Sequence, residues 1–500
     1  MPATLRQPGV YIEEISSGVR SITGVATSIG LFIGWAPRGA VDRAVRLTSF
    51  ADYEREYGGL DRRSMLGFSV QAFFANGGSD AYVIRVAGAT SATASVPVTA
   101  NLTVSASSSG TWANVYSIRT TQRAAPDNAR FRLEVLDNTT STPVVVESFE
   151  NLSMSDADPR FPPNVINATS RFIRVTATNA GGPPADGTID IDTGAGATAG
   201  VDAVLTPNTN DFQTALLACF GVGSIADRID LFNIVCVPGE TDATTLTTLQ
   251  GHCRTRRAFL IVDADPAATV SSLNAGATGL TQSDAMNSAI YFPWVRAPNS
   301  LLGGALSDFP PCGYVAGVFA RTDSTRGVWK APAGSDASIN GAASLAITMS
   351  DAENGQLNPL GINCLRTLPV YGHVVWGSRT LHGQNDRGSE WKYVPVRRMA
   401  LFLEESLYRG TQWVVFEPND EPLWAQIRLN IGAFLQGLFR QGAFQGRSPR
   451  EAYFVKCDRE TTTQADINLG IVNIFVGFAP LKPAEFVVIK IQQIAGDIPT

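Results

Sequence analysis

The chain has 500 residues, of which 44% are hydrophobic and 17% are charged, and its formal net charge is −6. This length exceeds what one hydrophobic core usually organises, so roughly two to four domains are expected. The hydrophobic fraction excludes a disordered chain, and the negative net charge argues against nucleic acid as a general partner.

Targeting and membrane signals are missing from the sequence pattern. The first residues, MPATLRQPGVYIEE, contain no apolar stretch typical of a secretory signal, and the least charged long run, 301–320, is broken by Asp308 and by Pro310 and Pro311. We therefore expect neither secretion nor insertion into a membrane. The six cysteines lie far apart without a CxxC pair, which is typical of reduced thiols in a cytoplasmic protein.

Residues 1–20 are predicted to form an N-terminal strand arm. The stretch PGVYIEEIS contains strand-forming residues but no turn that leads back to a hairpin partner. An isolated edge strand is marginal in water, so the arm is expected to pair elsewhere, in this chain or in another. Its pairing residues are predicted to be Val10, Tyr11, Ile12 and Ile15.

The next three stretches predict three different kinds of structure. A buried-type strand (27–39), a helix (64–76) and a second strand (80–88) place residues 21–90 in a mixed α/β core. Short alternating strands in a composition rich in Ala, Thr, Ser, Gly and Asn predict an all-β outward insertion over 91–207, a sandwich or partial barrel. Three apolar strands beginning near 230, 256 and 289, with helical patterns between them, predict a parallel α/β sheet over 208–357.

The last third of the chain carries the two best helical patterns. The first covers about 396–409 and leads into TQWVVFEP, which reads as a strand; the second follows Asn419 and Asp420, which suit an N-cap. Two later apolar stretches are predicted as strands, with the residues Tyr453, Phe454, Val455, Ile471, Val472, Ile474 and Phe475.

The chain ends in a further predicted strand without a local partner. Residues 485–500 contain EFVVIKIQQI, which we interpret as a C-terminal strand arm. Its pairing residues are predicted to be Phe486, Val487, Val488, Ile489 and Ile491. The alternative is that both arms close a sheet of their own chain.

One segment in the last third is positively charged, although the chain as a whole is negatively charged. Residues 422–450 contain no acidic residue, yet Arg428, Arg440, Arg447 and Arg450 are present. Such a segment favours a surface that meets an acidic partner. The alternative is an ordinary solvated helix face.

The sequence offers no recognisable catalytic or metal-binding set. Asp263 and Asp265 follow a strand of the α/β region, where enzymes of this class place active groups, but a helix cap or turn residue is the simpler interpretation of Asp263. The only histidines are His252, His373 and His382, and no GxSxG elbow or metal-ligand spacing accompanies them. We therefore predict no enzymatic activity, no cofactor and no metal.

Six motifs in series resemble the contractile tail sheath family, the sheath subunits of contractile phage tails, R-type tailocins and extracellular contractile injection systems. The resemblance covers roughly 8–90 and 210–494. The motifs are PGVYIEE, TSIGLFIGWAPRG, FFANGGSDAYVIRV, NPLGINCLRTLPVYGHVVWGSRTL, WKYVPVRRMALFLEESL and the stretch from FEPNDEPLWAQIRLNIGAFL to EAYFVKCD.

The resemblance implies an α/β and α+β multidomain protein: an inner mixed α/β domain built from both chain ends, a middle domain of subtilisin-like topology and the all-β insertion. It implies a bacterial cytoplasmic assembly of stacked hexameric rings of the chain itself around an inner tube protein. Baseplate and tail-terminator or cap proteins would be further partners, and contraction would drive the tube through a target envelope. The inner domain would comprise 21–90 and 358–484. Strand exchange between subunits would satisfy both arms, which would add to the strands predicted within 452–458 and 470–480 of neighbouring subunits. Arg428, Arg440 and Arg447 would face the tube. An adhesin or receptor-binding particle protein and an α/β hydrolase remain the alternatives.

Overall fold

The computed structural model describes residues 21–124, 129–179 and 181–490. Within these ranges the chain forms two compact units. The larger unit contains 28–321 and 333–388, and the smaller unit contains 21–27, 322–332 and 389–490. Each unit is therefore assembled from segments that are distant in sequence.

The strands of the described residues are short, and most belong to the larger unit. In chain order they are β1 (Gly30–Gly34), β2 (Val45–Leu47), β3 (Ala81–Arg85), β4 (Ser95–Thr99), β5 (Leu102–Ala106), β6 (Tyr116–Gln122), β7 (Arg130–Asp137), β8 (Val144–Ser153), β9 (Ile173–Ala177), β10 (Gly187–Asp190), β11 (Ile234–Cys236), β12 (Phe259–Asp263), β13 (Ser288–Phe292), β14 (Val295–Asn299), β15 (Ala305–Phe309), β16 (Ser344–Leu345), β17 (Ile362–Leu368), β18 (Gly372–Val375), β19 (Tyr453–Lys456) and β20 (Phe475–Phe478).

The α-helices lie between these strands, and the longest is in the smaller unit. In chain order they are α1 (Phe50–Tyr57), α2 (Leu66–Ala75), α3 (Pro162–Thr169), α4 (Asn210–Ala218), α5 (Ala243–Arg256), α6 (Val270–Leu273), α7 (Cys312–Arg326), α8 (Asp351–Leu357), α9 (Val394–Gly410), α10 (Glu421–Arg440), α11 (Pro449–Ala452) and α12 (Gln464–Asn468). None of the helices in the described ranges is long and apolar enough to span a bilayer.

The larger unit is organised around an eight-stranded sheet in the described residues, with the order β18-β17-β13-β12-β11-β1-β3-β2. The pairs from β17 through β3 are parallel, and the two outermost strands, β18 and β2, run antiparallel to their neighbours. β1, β12 and β13 are buried along their whole length. This confirms the parallel α/β sheet expected from the three apolar strands, because strands covered by helices on both faces read as continuous apolar runs.

The eight-stranded sheet does not follow the predicted domain boundaries. Residues 21–90 and 358–484 are predicted to form one inner core domain, whereas β1, β3 and β17 are strands of the eight-stranded sheet. β1 pairs with β11, about 200 residues further on: Gly30 lies opposite Ile234. The sequence pattern marks β1 as a buried strand, yet nothing local in it specifies which strand is its neighbour.

The insertion is a sandwich of two antiparallel sheets that share one core. Their orders are β10-β6-β7-β8 and β4-β5-β9. This agrees with the predicted β architecture, although the insertion is not purely β. The short helix α3 contributes Ile166, which is fully buried, to the same core as Val104 and Leu133.

A buried arginine connects the insertion to the eight-stranded sheet. Arg85, at the end of β3, is 1% exposed. Its guanidinium donates to the carbonyl oxygens of Ala36 at 2.8 Å, Gly39 at 2.7 Å and Ser109 at 2.9 Å. Burial lowers the pKa of Arg85 to about 10. Since Ser109 belongs to the insertion and Ala36 follows β1, this one side chain ties the two parts of the larger unit together.

Replacing Arg85 with alanine should lower the free energy of unfolding by about 2–4 kcal/mol. The change leaves three carbonyl oxygens without their donor and opens a cavity. Chemical denaturation of the full-length chain measures the loss. Arg43→Ala is a matched control, because the Arg43 side chain is 64% exposed and its nearest carboxylate oxygen, on Asp42, is 4.0 Å away. Equal stability of the two variants would contradict the prediction.

The smaller unit is built on α9 and α10. α10 begins as predicted: Asp420 is the N-cap, and its carboxylate accepts a hydrogen bond from the backbone N–H of Leu423 at 3.4 Å. The apolar face of α10 is buried except for Phe434, which is only partly buried. This face is the largest part of the core of the unit, with Trp424, Ile427, Ile431, Leu435 and Leu438.

The connection between α9 and α10 is not the predicted strand. Residues Gln412–Val414 form a 3-10 turn, and Phe416 has a backbone φ of 70° with its ring fully exposed. The β-branched and aromatic residues of TQWVVFEP favour a strand locally. No described strand lies beside them, and without a partner the backbone forms a tight connection instead.

Candidate strand-addition interface

β19 and β20 form a two-stranded antiparallel ribbon on the surface of the smaller unit. Tyr453 lies opposite Phe478, and Lys456 lies opposite Phe475. Within the described residues neither strand pairs with a third strand. An isolated ribbon of this kind is marginal in water, and its two outer edges present free backbone N–H and C=O groups.

The inner face of the ribbon is anchored to α10. Tyr453, Val455, Val476 and Phe478 pack against the core of the smaller unit. The Tyr453 hydroxyl also donates to the Gln436 side-chain oxygen at 2.8 Å. These contacts hold β19 and β20 in place within the single chain.

The outer face of the ribbon is apolar and exposed. The side chain of Phe454 is 53% exposed and that of Phe475 is 56% exposed. A Cβ at Gly477 would lie 2.1 Å from the Phe454 ring. The absence of a side chain at Gly477 therefore allows the Phe454 ring to lie directly on β20.

The predicted recipient residues only partly coincide with the two strands. Tyr453, Phe454 and Val455 lie in β19 and Phe475 begins β20, whereas Ile471, Val472 and Ile474 precede β20. The sequence reasoning missed Lys456 and Gly477. The alternation of Phe454 and Lys456 with the inward Tyr453 and Val455 is the signal that marks the outer face.

The described part of the C-terminal arm follows the ribbon as an exposed segment and forms no strand. Its predicted pairing residues Phe486, Val487, Val488 and Ile489 are 72%, 80%, 79% and 79% exposed. The start of the segment is held in place, because the Tyr393 hydroxyl donates to the Glu485 carboxylate at 3.0 Å. Ile491 and the N-terminal arm residues Val10, Tyr11, Ile12 and Ile15 lie outside the described residues.

The three arginines predicted to face a tube differ in their surroundings. Arg428 is half-buried, where its guanidinium contacts the Glu421 carboxylate at 2.7 Å and the carbonyl oxygen of Cys457. Arg440 and Arg447 are exposed at the end of α10 and in the following loop. Tube contact remains a prediction for all three.

Asp263 is buried at the start of α7. Its carboxylate accepts hydrogen bonds from the backbone N–H groups of Cys312, the first residue of α7, at 2.7 Å and of Gly239 at 3.0 Å. Asp263 therefore caps α7, as the simpler interpretation of the sequence expected. Burial raises the pKa of Asp263 to about 6, although both hydrogen bonds act in the opposite direction.

This pKa gives the stability a defined pH dependence. In the folded state the pKa of Asp263 is above its ordinary value of 3.8, so the folded chain holds the proton more tightly than the unfolded chain. The contribution of the group is therefore greatest below pH 4 and is lost as the pH rises through about 6. The wild-type stability, measured relative to Asp263→Asn, should fall by on the order of 3 kcal/mol between pH 4 and pH 7. Parallel denaturation curves over this range would contradict the prediction.

The histidines and cysteines make structural contacts. His382 Nε2 donates to the carbonyl oxygen of Gln282 at 2.8 Å, and the His252 ring stacks on Phe220. The cysteines are buried free thiols, and burial raises the pKa of Cys219 to about 11. Across the described ranges no cluster of three or more His, Cys, Asp or Glu side chains could hold a metal ion.

Two family models match the chain side by side. The model described as phage tail sheath protein central domain matches residues 229–381, and the model described as phage tail sheath C-terminal domain matches residues 386–494. Together they take in just over half of the chain. The second match contains the ribbon and the start of the C-terminal arm.

Known proteins of the same kind are similar to the chain. A prophage major tail sheath protein of Pseudomonas aeruginosa is 25% identical over 277 residues, which are 53% of this chain and 67% of that protein. The tail sheath protein of Vibrio phage KVP40 is 28% identical over 177 residues, 35% of this chain but only 25% of the much longer relative. The contracted sheath complex of the extracellular contractile injection system PVC shares the fold, with a TM-score of 0.62 at 23% identity over 99% of each chain.

The fold and these matches define a structural subunit of a contractile sheath, of the class found in phage tails and contractile injection systems. The chain belongs to the phage tail sheath family. The relatives are structural sheath proteins rather than enzymes.

Proposed function

We propose that the chain polymerises as stacked hexameric rings around an inner tube and contracts to drive that tube through a target envelope. The observation that supports this proposal is that strand edges and an arm of the smaller unit lack pairing partners. The ribbon has two free edges, and the apolar C-terminal arm of the same unit has no partner among the described strands. When the arm of one copy adds to the ribbon of another copy, the backbone hydrogen-bonding groups of both are satisfied.

Strand addition is also compatible with a sheath whose subunits change their arrangement during contraction. Each backbone hydrogen bond contributes only about 0.5–1.5 kcal/mol, but several form per strand and the contact repeats at every subunit. The subunit bodies can then rotate while the strands stay paired. Baseplate and terminator proteins would cap the two ends of the assembly.

Electron microscopy of the purified full-length chain, alone and with its tube protein, tests this function. Long striated tubes are the expected result. A variant that lacks residues 1–20 should not form them if the N-terminal arm carries one of the strand contacts. Monomers under every condition would refute the sheath assignment for this chain.

The basic segment around α10 is proposed to meet an acidic tube. The triple variant Arg428→Glu, Arg440→Glu and Arg447→Glu should abolish tube-templated assembly, because three reversed charges turn attraction into repulsion. The subunit itself should stay folded, although Arg428 also binds Glu421. The double variant of Arg440 and Arg447 alone is therefore the cleaner comparison. Full-length sheaths from the triple variant would rule this contact out.

A further inference from the structure

We propose that the outer face of the β19–β20 ribbon is a docking surface for a second copy of this chain, which contacts it through the loop around Phe416. This Phe416 loop comprises residues 411–420 and connects α9 to α10. The inference rests on the proposed function, because it names a further contact between neighbouring subunits. It concerns the face of the ribbon and not its edges.

Phe416 is unfavourably placed within a single chain. Its ring is fully exposed to solvent, and its backbone φ of 70° lies in the left-handed region. Bulky side chains rarely adopt this conformation, and such strain persists in proteins mainly where a functional contact requires it. An aromatic ring also buries a large apolar area when a partner covers it. Both features favour a contact residue whose ring is buried only in the assembly.

The Phe416 loop is held in place by the side chain of Asn419. Its amide group donates to the carbonyl oxygen of Ile471 at 3.0 Å, and its oxygen accepts from the indole N–H of Trp424 at 2.9 Å. Trp424 belongs to the core of the smaller unit. Val415, next to Phe416, and Ile471 are exposed as well. The loop therefore presents an apolar surface in a fixed position.

The outer face of the ribbon offers a second apolar surface of similar kind. Phe454 and Phe475 are each more than half exposed on this face. Lys456 is exposed too and lies opposite Phe475 in the neighbouring strand. Because residues paired across two strands have neighbouring side chains on the same face, the positive charge lies beside the apolar surface.

The charges of the two surfaces are complementary. Glu417 follows Phe416 and is exposed, and residues 410–427 contain no Lys or Arg. Across the part of the chain that the structure describes, neither Glu417 nor Lys456 forms an ion pair. The acidic groups at the ends of β19 are engaged locally: Glu451 and Asp458 accept backbone hydrogen bonds at 2.8 Å and 2.9 Å. Docking would therefore place Glu417 of one copy beside Lys456 of the next.

The two surfaces belong to different copies. Within the described chain Phe416, Phe454 and Phe475 are all exposed, so the loop does not cover its own ribbon. An acidic tube, as proposed above, would repel Glu417. A contact between two different surfaces of identical copies repeats head to tail and forms rings or helical filaments, as a sheath requires. Strand addition uses the edges of the ribbon and leaves its outer face free, so both contacts can exist at one subunit.

Replacing Phe416 with glycine separates docking from folding. Phe416→Gly removes an exposed ring and relieves the left-handed backbone, so the melting temperature of the subunit should not fall. The amount of sedimentable sheath should fall by about tenfold, because the docked ring is lost. A variant with a lower melting temperature and a normal amount of sheath would assign a purely structural role to Phe416 and overturn the contact.

A charge exchange tests the partner. Glu417→Lys and Lys456→Glu should each lower the amount of sedimentable sheath by about tenfold, because each places like charges in the contact. Combining both substitutions in one chain should restore a yield near that of the wild type, since every contact then joins opposite charges again. Glu390→Lys is the matched control: Glu390 is exposed in the same unit but lies outside the loop and the ribbon, so its variant should assemble normally.

Engineered cysteines identify the contact directly. All six native cysteines are buried, so copper phenanthroline can oxidise new surface thiols selectively. In a chain with both Val415→Cys and Phe475→Cys, the contact should link copies head to tail and produce a ladder of disulfide-linked oligomers on a non-reducing gel. Each single variant should remain unlinked. Cross-linked dimers from Val415→Cys alone, or a disulfide within one chain, would overturn the contact.

The outcomes separate this inference from the proposed function. Wild-type tubes together with normal assembly of Phe416→Gly and Glu417→Lys would overturn the docking contact and leave the sheath function intact. A disulfide ladder from chains that never form tubes would support the contact and overturn the sheath function. The absence of both tubes and ladder would overturn both. Charge rescue together with the ladder would establish the outer face of the ribbon as the docking site of the Phe416 loop.

Discussion

Replacing Phe486 and Val488 with aspartate should abolish sheath formation while leaving the melting temperature of the subunit unchanged. Both side chains belong to the exposed C-terminal segment and are more than 70% exposed, so their replacement removes little packing within the described chain. In an added strand the same positions would lie against the apolar β20, where a buried unpaired carboxylate costs several kcal/mol. Because every subunit repeats the defect, assembly should fail completely rather than partially.

The matched control for this prediction is Val222→Asp. Val222 is fully exposed in the larger unit and lies in no strand or arm, so its variant should assemble like the wild type. Sedimentation and negative-stain microscopy measure assembly, and thermal unfolding measures the subunit. Tubes of normal length from the variant with aspartate at Phe486 and Val488 would show that the C-terminal arm is not needed for assembly.

Replacing Asp323 with alanine should lower the free energy of unfolding by about 3–5 kcal/mol. The Asp323 carboxylate receives the Arg398 guanidinium at 2.6 Å, and their side chains are 2% and 3% exposed. Arg398 also donates to the carbonyl oxygen of Thr27 at 2.8 Å. Removing the carboxylate breaks the ion pair of the buried Arg398 guanidinium, and breaking such a pair is among the most destabilising single changes in proteins.

Two further variants separate the charge from the packing. Asp323→Ala combined with Arg398→Met removes both charges and should recover much of the lost stability, because an apolar replacement of a buried pair is often neutral. Asp42→Ala, at an exposed carboxylate, should change the stability by less than about 0.5 kcal/mol. Denaturant titration of all variants gives the values, and an Asp323→Ala variant as stable as the control would contradict the argument.

The ion pair between Asp323 and Arg398 could not be predicted from the sequence. Thr27, Asp323 and Arg398 come from the three chain segments that make up the smaller unit. Each residue is unremarkable in its local pattern, and nothing in a local pattern predicts that a carboxylate near the end of α7 meets an arginine of α9. The same holds for Arg85, whose carbonyl partners come from turns near β1 and from the insertion.

Some candidate residues have a local signal in the sequence. The apolar run of the C-terminal arm is visible as consecutive strand-forming residues without a turn, and its described part is exposed and lies in no strand. The alternation along β19 separates its two faces, but only the packing on α10 decides that Phe454 and Lys456 point outward. The tertiary fold also engages Arg428 with Glu421, which the acid-free stretch after Pro422 did not indicate.

The sequence by itself determined the elements whose physics is local: the capped and amphipathic α10, the buried parallel strands β11, β12 and β13 and the β-rich insertion. Periodicity, capping and turn chemistry act over a few residues, so they can be read along the chain. Only the tertiary structure decided that β1 and β3 complete the central sheet, that TQWVVFEP is no strand and that the ribbon keeps two free edges. Those outcomes depend on backbone hydrogen bonds and buried charges between segments hundreds of residues apart, and partner choice at that distance is set by the whole fold.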